Sequence, residues 1–433
     1  MEQRNLACEL VKVIRRFFPG LPSFLEGLTD PRRASYITYP AKVLLMTRIL
    51  SSLFYISSMR KTSEELNNCR VIENIGFICG VELEELPYWE TINNYLKRLD
   101  PEEMQGVVTG LVKHLIRSRV FEKEKIRGKY WQILIDGTQL ESSRKELDPN
   151  CLYRTHKKGT EEEYKEYYYY VLEAKLVLTP DIVVSVMTEF VENSGEEMKK
   201  QDCELKACYR LMDRLKKTFP CLKICICGDS LYAGKPFIEK CEAYGWKYVV
   251  RFKKGSIPYI YEEYENLKNR EGNEGNKGKE TSGKKEIQWN HVSEIDYEGH
   301  KVNYAWLMEE ENGKKKEFSY ITNLRIKKKG GKEIVTYGRR RWKIENEGFN
   351  TQKNQGYHLE HMYSRDYQGM KNHYYLIQTG HMIAQILESW KKVWEGTRQS
   401  REQKHRRLLE NWKTIRIRDH KTELEKRYQI RLE

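Results

Sequence analysis

The chain of 433 residues lacks any apolar run of about 18 residues, the length a membrane-spanning helix needs. Its opening, MEQRNLACELVKVIRRFFPG, has neither the long apolar core nor the small-residue cleavage site of a secretion signal, so no secretion and no membrane partner are expected. No Cys-x-x-Cys pair occurs among the 10 cysteines, which argues against structural zinc and, without a secretion signal, for reduced thiols. There is no GxxxxGK[ST] phosphate loop, and nothing in the sequence suggests a Ser-His-Asp or Cys-His nucleophile arrangement. What is abundant is positive charge. Lys and Arg number 77 against 63 Asp and Glu, a net charge of +14 that points to a polyanionic partner.

Residues 1–125 read as an all-helical unit. YPAKVLLMTRILSSLFYISSM repeats its apolar positions at three and four residues. Thr62, three residues before Glu65, is the expected capping box of the next helix. Asp100 and Pro101 predict an N-cap and a first-turn proline. From about residue 126 the pattern turns to short β-rich runs. YWQILID is expected to end at Asp136-Gly137-Thr138. Two strands joined at Thr179-Pro180-Asp181 follow, then the amphipathic helix KKQDCELKACYRLMDRLKKTF and the buried strand CLKICIC, which closes on Gly228-Asp229. A helix, a strand, a Gly-rich loop over 264–286 and antiparallel strands with turns at Glu298-Gly299 and Asn312-Gly313 come next. A long helix is expected from Ile334 to Lys353. Residues 391–433 carry 14 Lys and Arg against 7 Asp and Glu, half the net charge; they read as a basic helical tail that binds DNA or is simply solvated.

Two aspartates at strand ends, Asp136 and Asp229, can project into a cleft at the carboxyl edge of a sheet. A hard divalent cation needs a further oxygen ligand. In TYGRRRWKIENEGFNTQK, Arg341, Glu345 and Phe349 fall at four-residue steps on one helical face; the plain alternative is an ion pair beside a core contact.

These stretches, ILIDGTQL, CGDSLYAGKPFIEKCEAYGWKYVVRFKKG, FSYITNL and RRRWKIENEGFNTQKNQGY, resemble a DDE transposase of the insertion-sequence-four type over residues 130–385. The resemblance implies an α/β, RNase-H-like mixed sheet with helices on both faces at 126–390, and a β-rich insertion at about 255–325. It implies Asp136, Asp229 and Glu345 as catalytic, metal-binding residues for two Mg²⁺ or Mn²⁺ ions. The family's helix signature runs Tyr, two residues, Arg, three, Glu, six, Lys. Here Arg341 matches, but Gly338 and Gln352 stand at the Tyr and Lys positions, with Tyr337 and Lys353 one residue outside. Glu347 is the fallback for the Glu. Tyr232, Tyr337, Arg340, Arg341 and Lys353 are candidate DNA contacts. Trp342 is expected in the core, and His361 and Asn323 either near the metals or in structural roles.

The implied activity is cut-and-paste transposition: binding of double-stranded terminal inverted repeats by a homodimer, cleavage and transfer to target DNA, in a bacterial or archaeal cytoplasm. A catalytically inactive DNA-binding protein of the same fold and a metal-dependent nuclease without strand transfer are the alternatives.

Overall fold

The computed structural model describes residues 5–193, 201–270, 274–395, 398–426 and 428–432. Ten strands form one mixed sheet: β1 Trp131–Ser143, β2 Leu152–His156, β3 Tyr164–Thr179, β4 Ile182–Val191, β5 Ile224–Gly228, β6 Lys247–Arg251, β7 Gly278–Ser282, β8 Lys285–Tyr297, β9 His300–Glu311 and β10 Lys314–Thr322. The central part of the sheet runs β4-β3-β1-β5-β6, with β1, β5 and β6 parallel and β3 antiparallel to β1 and β4. This is the RNase-H-like order. β2 pairs with the outer half of β3, while β10, β9, β8 and β7 extend the far edge antiparallel.

Side chains alternate across the sheet. Ile133, Ile135, Ile224, Ile226, Tyr248 and Val250 face a large core shared with the N-terminal helices. Leu134, Cys225, Cys227 and Val249 face a smaller one closed by Ile334, Val335, Ile344 and Phe349. The helix Tyr367–Ser389 is buried over most of its length, between Ala41–Leu53 on one side and β4 on the other. Its Gln385 receives the Val183 N–H at 2.7 Å and donates to the Val183 carbonyl at 2.9 Å. All ten cysteines are free, and no helix among the described residues is long and apolar enough to cross a membrane.

Local signals behave as their chemistry dictates. Asp100 caps Pro101–Arg117 by accepting the Glu102 N–H at 2.9 Å. Glu298 and Gly299, and Asn312 and Gly313, all have positive φ, as two-residue hairpin turns between right-twisted strands require.

Several expectations are corrected. Ser58, not Thr62, caps Met59–Leu66, and Thr62 sits inside the helix donating to the Ser58 carbonyl. β1 does not stop at Asp136 but runs on to Ser143, because β3 continues to pair with it after β5 has ended. The 264–286 loop is largely structured: its start is the end of the helix Pro258–Leu267 and its end forms β7 and the start of β8, while its residues 271–273 lie outside the described residues. The helix expected over 334–353 is Gly331–Arg339, then a turn, then a π-helical segment Ile344–Asn350 and a last turn Thr351–Asn354.

The basic C-terminal segment is packed onto the rest of the chain. In Arg401–Thr414, Trp412 is wholly buried, and Asn74 donates to the carbonyls of Trp412 and Ile415 at 3.1 and 2.8 Å. The Glu388 carboxylate, within the Tyr367–Ser389 helix, receives Arg401 at 2.9 Å and His405 at 2.7 Å.

Candidate active site

The parallel pairing of β1 with β5 ends at Leu134 and Cys227. Just past that point Asp136 projects from β1, and Asp229 leaves β5 after Gly228. The Asp229 carboxylate accepts the Leu231 N–H at 2.8 Å, which turns the chain into a short helical turn at Ser230–Tyr232. Both carboxylates therefore stand at the carboxyl edge of adjacent parallel strands.

Asp136 is about one-fifth exposed and its carboxyl is pushed up to about 6. Burial is the main cause; Arg341 opposes it, while the charges of Glu204 and Asp229 add to it. The Gly137 N–H donates to Asp136 Oδ1 at 3.1 Å, and Arg341 Nη1 lies 2.5 Å from Asp136 Oδ2. Glu204 is the acidic residue that the sequence does not single out. It begins the helix Glu204–Thr218 and receives the hydroxyls of Tyr232, at 2.5 Å on Oε1, and Tyr170, at 2.6 Å on Oε2.

Glu345 lies in the π-helical segment, four residues past Arg341, and that segment packs on β1 and β4. It is exposed and, among the described residues, has no ion pair or hydrogen bond. Glu347 is engaged elsewhere, receiving Arg401 Nη2 at 3.0 Å, with Lys343 at 3.8 Å. Of the two candidates, Glu345 is the free one.

The departures from the helix signature have packing causes. Gly338 is buried, and a Cβ there would strike the ring of Tyr320. Gln352 is fully buried, donating to Gln378 at 2.7 Å and lying 2.9 Å from His381 Nδ1; a lysine would need a counter-charge there. Lys353 Nζ instead reaches the Gln139 carbonyl at 2.7 Å and Glu360 at 2.8 Å. Tyr337 donates to Glu333 at 2.7 Å.

Of the three successive arginines, Arg339 is paired with Glu309 and Arg341 with Asp136, while Arg340 makes a long 3.4 Å contact with Gln132. Tyr232 is 1% exposed and turned onto Glu204, so it offers no surface to DNA as expected of it. Trp342, expected in the core, is 53% exposed: the turn at Arg340–Arg341 rotates it out to the surface. Asn323 closes a strand, accepting the Tyr248 N–H at 3.0 Å and donating to the Trp246 carbonyl at 3.1 Å. His361 stands edge-on to Tyr363, 4.7 Å between centroids.

Asp136, Asp229 and Glu345 supply only carboxylate oxygens, the donors that Mg²⁺ and Mn²⁺ take. The negative charges of Glu204 and Asp229, which add to burial in raising the Asp136 carboxyl, are what a bound cation would offset, so the residues fit the group. Their oxygens do not all lie within 4.8 Å of one another; Cys8, His420 and Glu423 do. In that second group Glu423 is already paired with Lys12 at 2.7 Å and burial pushes the Cys8 thiol up to about 12, so it is a poor ligand set.

Residues 127–383 match the family described as transposase DDE domain. No curated protein matches the chain. A solved structure of the piggyBac transposase synaptic complex with hairpin DNA is similar at 13% identity and a TM-score of 0.40, over 96% of this chain and 82% of that one. The match spans more than half of the sequence and holds both strand-edge aspartates and the Glu345 segment: this chain belongs to the transposase DDE domain family.

Proposed function

We propose that the protein binds the terminal inverted repeats of a mobile element as a homodimer and catalyses metal-dependent cleavage and strand transfer of double-stranded DNA. The observation that carries this reading is the placement of Asp136 and Asp229 at adjoining parallel strand ends, with Arg341 linking Asp136 to the segment that bears Glu345.

Asp136, Asp229 and Glu345 are the residues that would hold Mg²⁺ or Mn²⁺. When bound, two such ions activate the attacking oxygen and stabilise the leaving one in an in-line displacement at phosphorus. The chain's own groups orient the reaction. Asp229 is fixed by the Leu231 N–H, and Asp136 by the Gly137 N–H and the Arg341 guanidinium. Arg341 contacts Asp136 through Oδ2, and a DNA phosphate entering beside it is an anion to which the guanidinium can turn. Arg340 and the exposed Trp342 ring border the same helix turn, where a phosphate and a base could meet them. The net charge of +14 favours the encounter and makes it salt-dependent.

The test is cleavage of DNA carrying the flanking inverted repeats, with wild type beside Glu345→Ala and Glu347→Ala. Cutting at the repeat ends in Mg²⁺ or Mn²⁺, lost with Glu345→Ala and kept with Glu347→Ala, is expected; joined products separate a transposase from a nuclease. Specific end binding with no cutting in any divalent metal would overturn the catalytic reading.

A further inference from the structure

Two tyrosines on different elements end on one carboxylate beside the catalytic edge. Tyr170, on β3, lies against Gly137, the neighbour of Asp136: a Cβ on Gly137 would stand 2.5 Å from its ring Cε1. Tyr232, in the turn after β5, lies against Gly228, the neighbour of Asp229: a Cβ there would stand 2.5 Å from its ring Cδ2. No real Cβ tolerates such a distance, so at both places glycine is what lets the ring press on the backbone. The two hydroxyls then take separate oxygens of Glu204, at 2.6 and 2.5 Å. The helix start that carries Glu204 is itself secured, since Asp202 pairs with Arg210 at 2.6 Å.

We propose that Glu204, acting through Tyr170 and Tyr232, is a positioning residue that sets the separation of Asp136 and Asp229. β1 and β5 are hydrogen-bonded only as far as Leu134 and Cys227, so past that point nothing in the sheet ladder fixes one aspartate relative to the other. The clamp replaces the missing ladder: one ring bears on the backbone beside each aspartate, and one carboxylate joins the rings. A carboxylate suits this junction because both its oxygens accept, so each phenol donates to its own oxygen. An amide of the same shape has one accepting oxygen and would force the second phenol to reverse its role.

The inference rests on the reading of Asp136 and Asp229 as metal ligands, and calorimetric titration of the full-length protein with Mn²⁺ and with Mg²⁺ separates the two. Wild type is expected to bind Mn²⁺, and Asp136→Asn to lose that binding. A wild type that binds no Mn²⁺ at this site overturns the metal reading and the clamp with it.

Given wild-type binding, Glu204→Gln and the pair Tyr170→Phe with Tyr232→Phe are each expected to weaken Mn²⁺ binding about tenfold. Mg²⁺ binding should weaken further, because Mg²⁺ demands near-ideal octahedral geometry. The triple variant should be no worse than either, since both remove one device. Loss of stability alone would not change the Mg²⁺ to Mn²⁺ preference. Folded variants, shown by an unchanged circular-dichroism spectrum, that bind both ions within twofold of wild type overturn the clamp, as do effects that simply add.

Discussion

On the proposed reading, proton and cation compete for Asp136, and the surroundings of that carboxyl set where the exchange falls. Its carboxyl is raised from 3.8 to about 6, by burial first and then by the charges of Glu204 and Asp229, against the pull of Arg341. The folded-state value lies above the unfolded one, so the folded protein keeps a proton between these limits that the unfolded chain releases. The metal-free protein therefore gains stability as pH falls through 6. At neutral pH, holding the ionised carboxylate costs about 3 kcal/mol, from about two pKa units at about 1.4 kcal/mol each. A divalent cation that displaces this proton binds about tenfold more weakly for each pH unit below 6. At free Mn²⁺ about 100 times its dissociation constant at pH 7.5, stabilisation is about 2.7 kcal/mol, falling to roughly half at pH 5. Thermal unfolding with and without Mn²⁺ from pH 5 to 8 measures it: the Mn²⁺-induced rise in Tm should be full above pH 7 and shrink below 6. An equal rise at every pH, or one that persists in Asp136→Asn, would refute the reasoning.

Trp412→Ala should cost about 3–5 kcal/mol, as loss of a wholly buried tryptophan does; urea unfolding checks this, and a cost under about 0.5 kcal/mol, ordinary for surface changes, would mean that the C-terminal segment is not docked in solution. Glu347→Ala should lower stability by about 1 kcal/mol through its pair with Arg401 while leaving cleavage intact, read by denaturation and cleavage side by side. Trp342→Ala should leave the urea midpoint unchanged, since the ring is exposed, and weaken DNA binding by about 1–3 kcal/mol if it stacks on a base, measured by fluorescence anisotropy. Gly228→Ala, which drives a methyl into Tyr232, should destabilise the protein by about 1–3 kcal/mol, measured by thermal unfolding.

Much of the sheet was legible because its signals are local. A buried run such as CLKICIC ending on Gly228-Asp229, or Asn312-Gly313 between alternating strands, carries its conformation in its own residues. What escaped depends on partners distant in sequence. β1 continues to Ser143 because β3 supplies hydrogen bonds beyond β5. The π-helical turn forms where Gly348 lies against the buried Lys175 side chain, whose Cε a Cβ at that glycine would meet at 3.2 Å, and where Arg341 is drawn to Asp136. Neither neighbour is visible in the helix's own periodicity, which made a plain helix the natural reading and put Trp342 inside. The charge run after residue 400 reads as solvated because its few apolar anchors, Leu408, Leu409 and Trp412, are spread among five Lys and Arg in Arg401–Thr414. Glu204 has no sequence signature: its significance is made by two tyrosines 34 and 28 residues away.

The outer hairpins join the rest of the sheet where Val249, Val250 and Arg251 of β6 meet Thr322, Ile321 and Tyr320 of β10, reinforced by the Thr322 hydroxyl on the Tyr248 carbonyl at 2.5 Å and by the helix Gly331–Arg339 packed across both. Mechanically this is a stiff blade on a short root. A load applied to β8 or β9 reaches β6 through β10 and through the helix Gly331–Arg339, which packs on β5, β6, β8, β9 and β10, and β6 is bonded directly to β5, whose end carries Asp229. A force on the blade is therefore carried to the strand that ends at Asp229 by two routes, the β10–β6 hydrogen bonds and the helix packed across both.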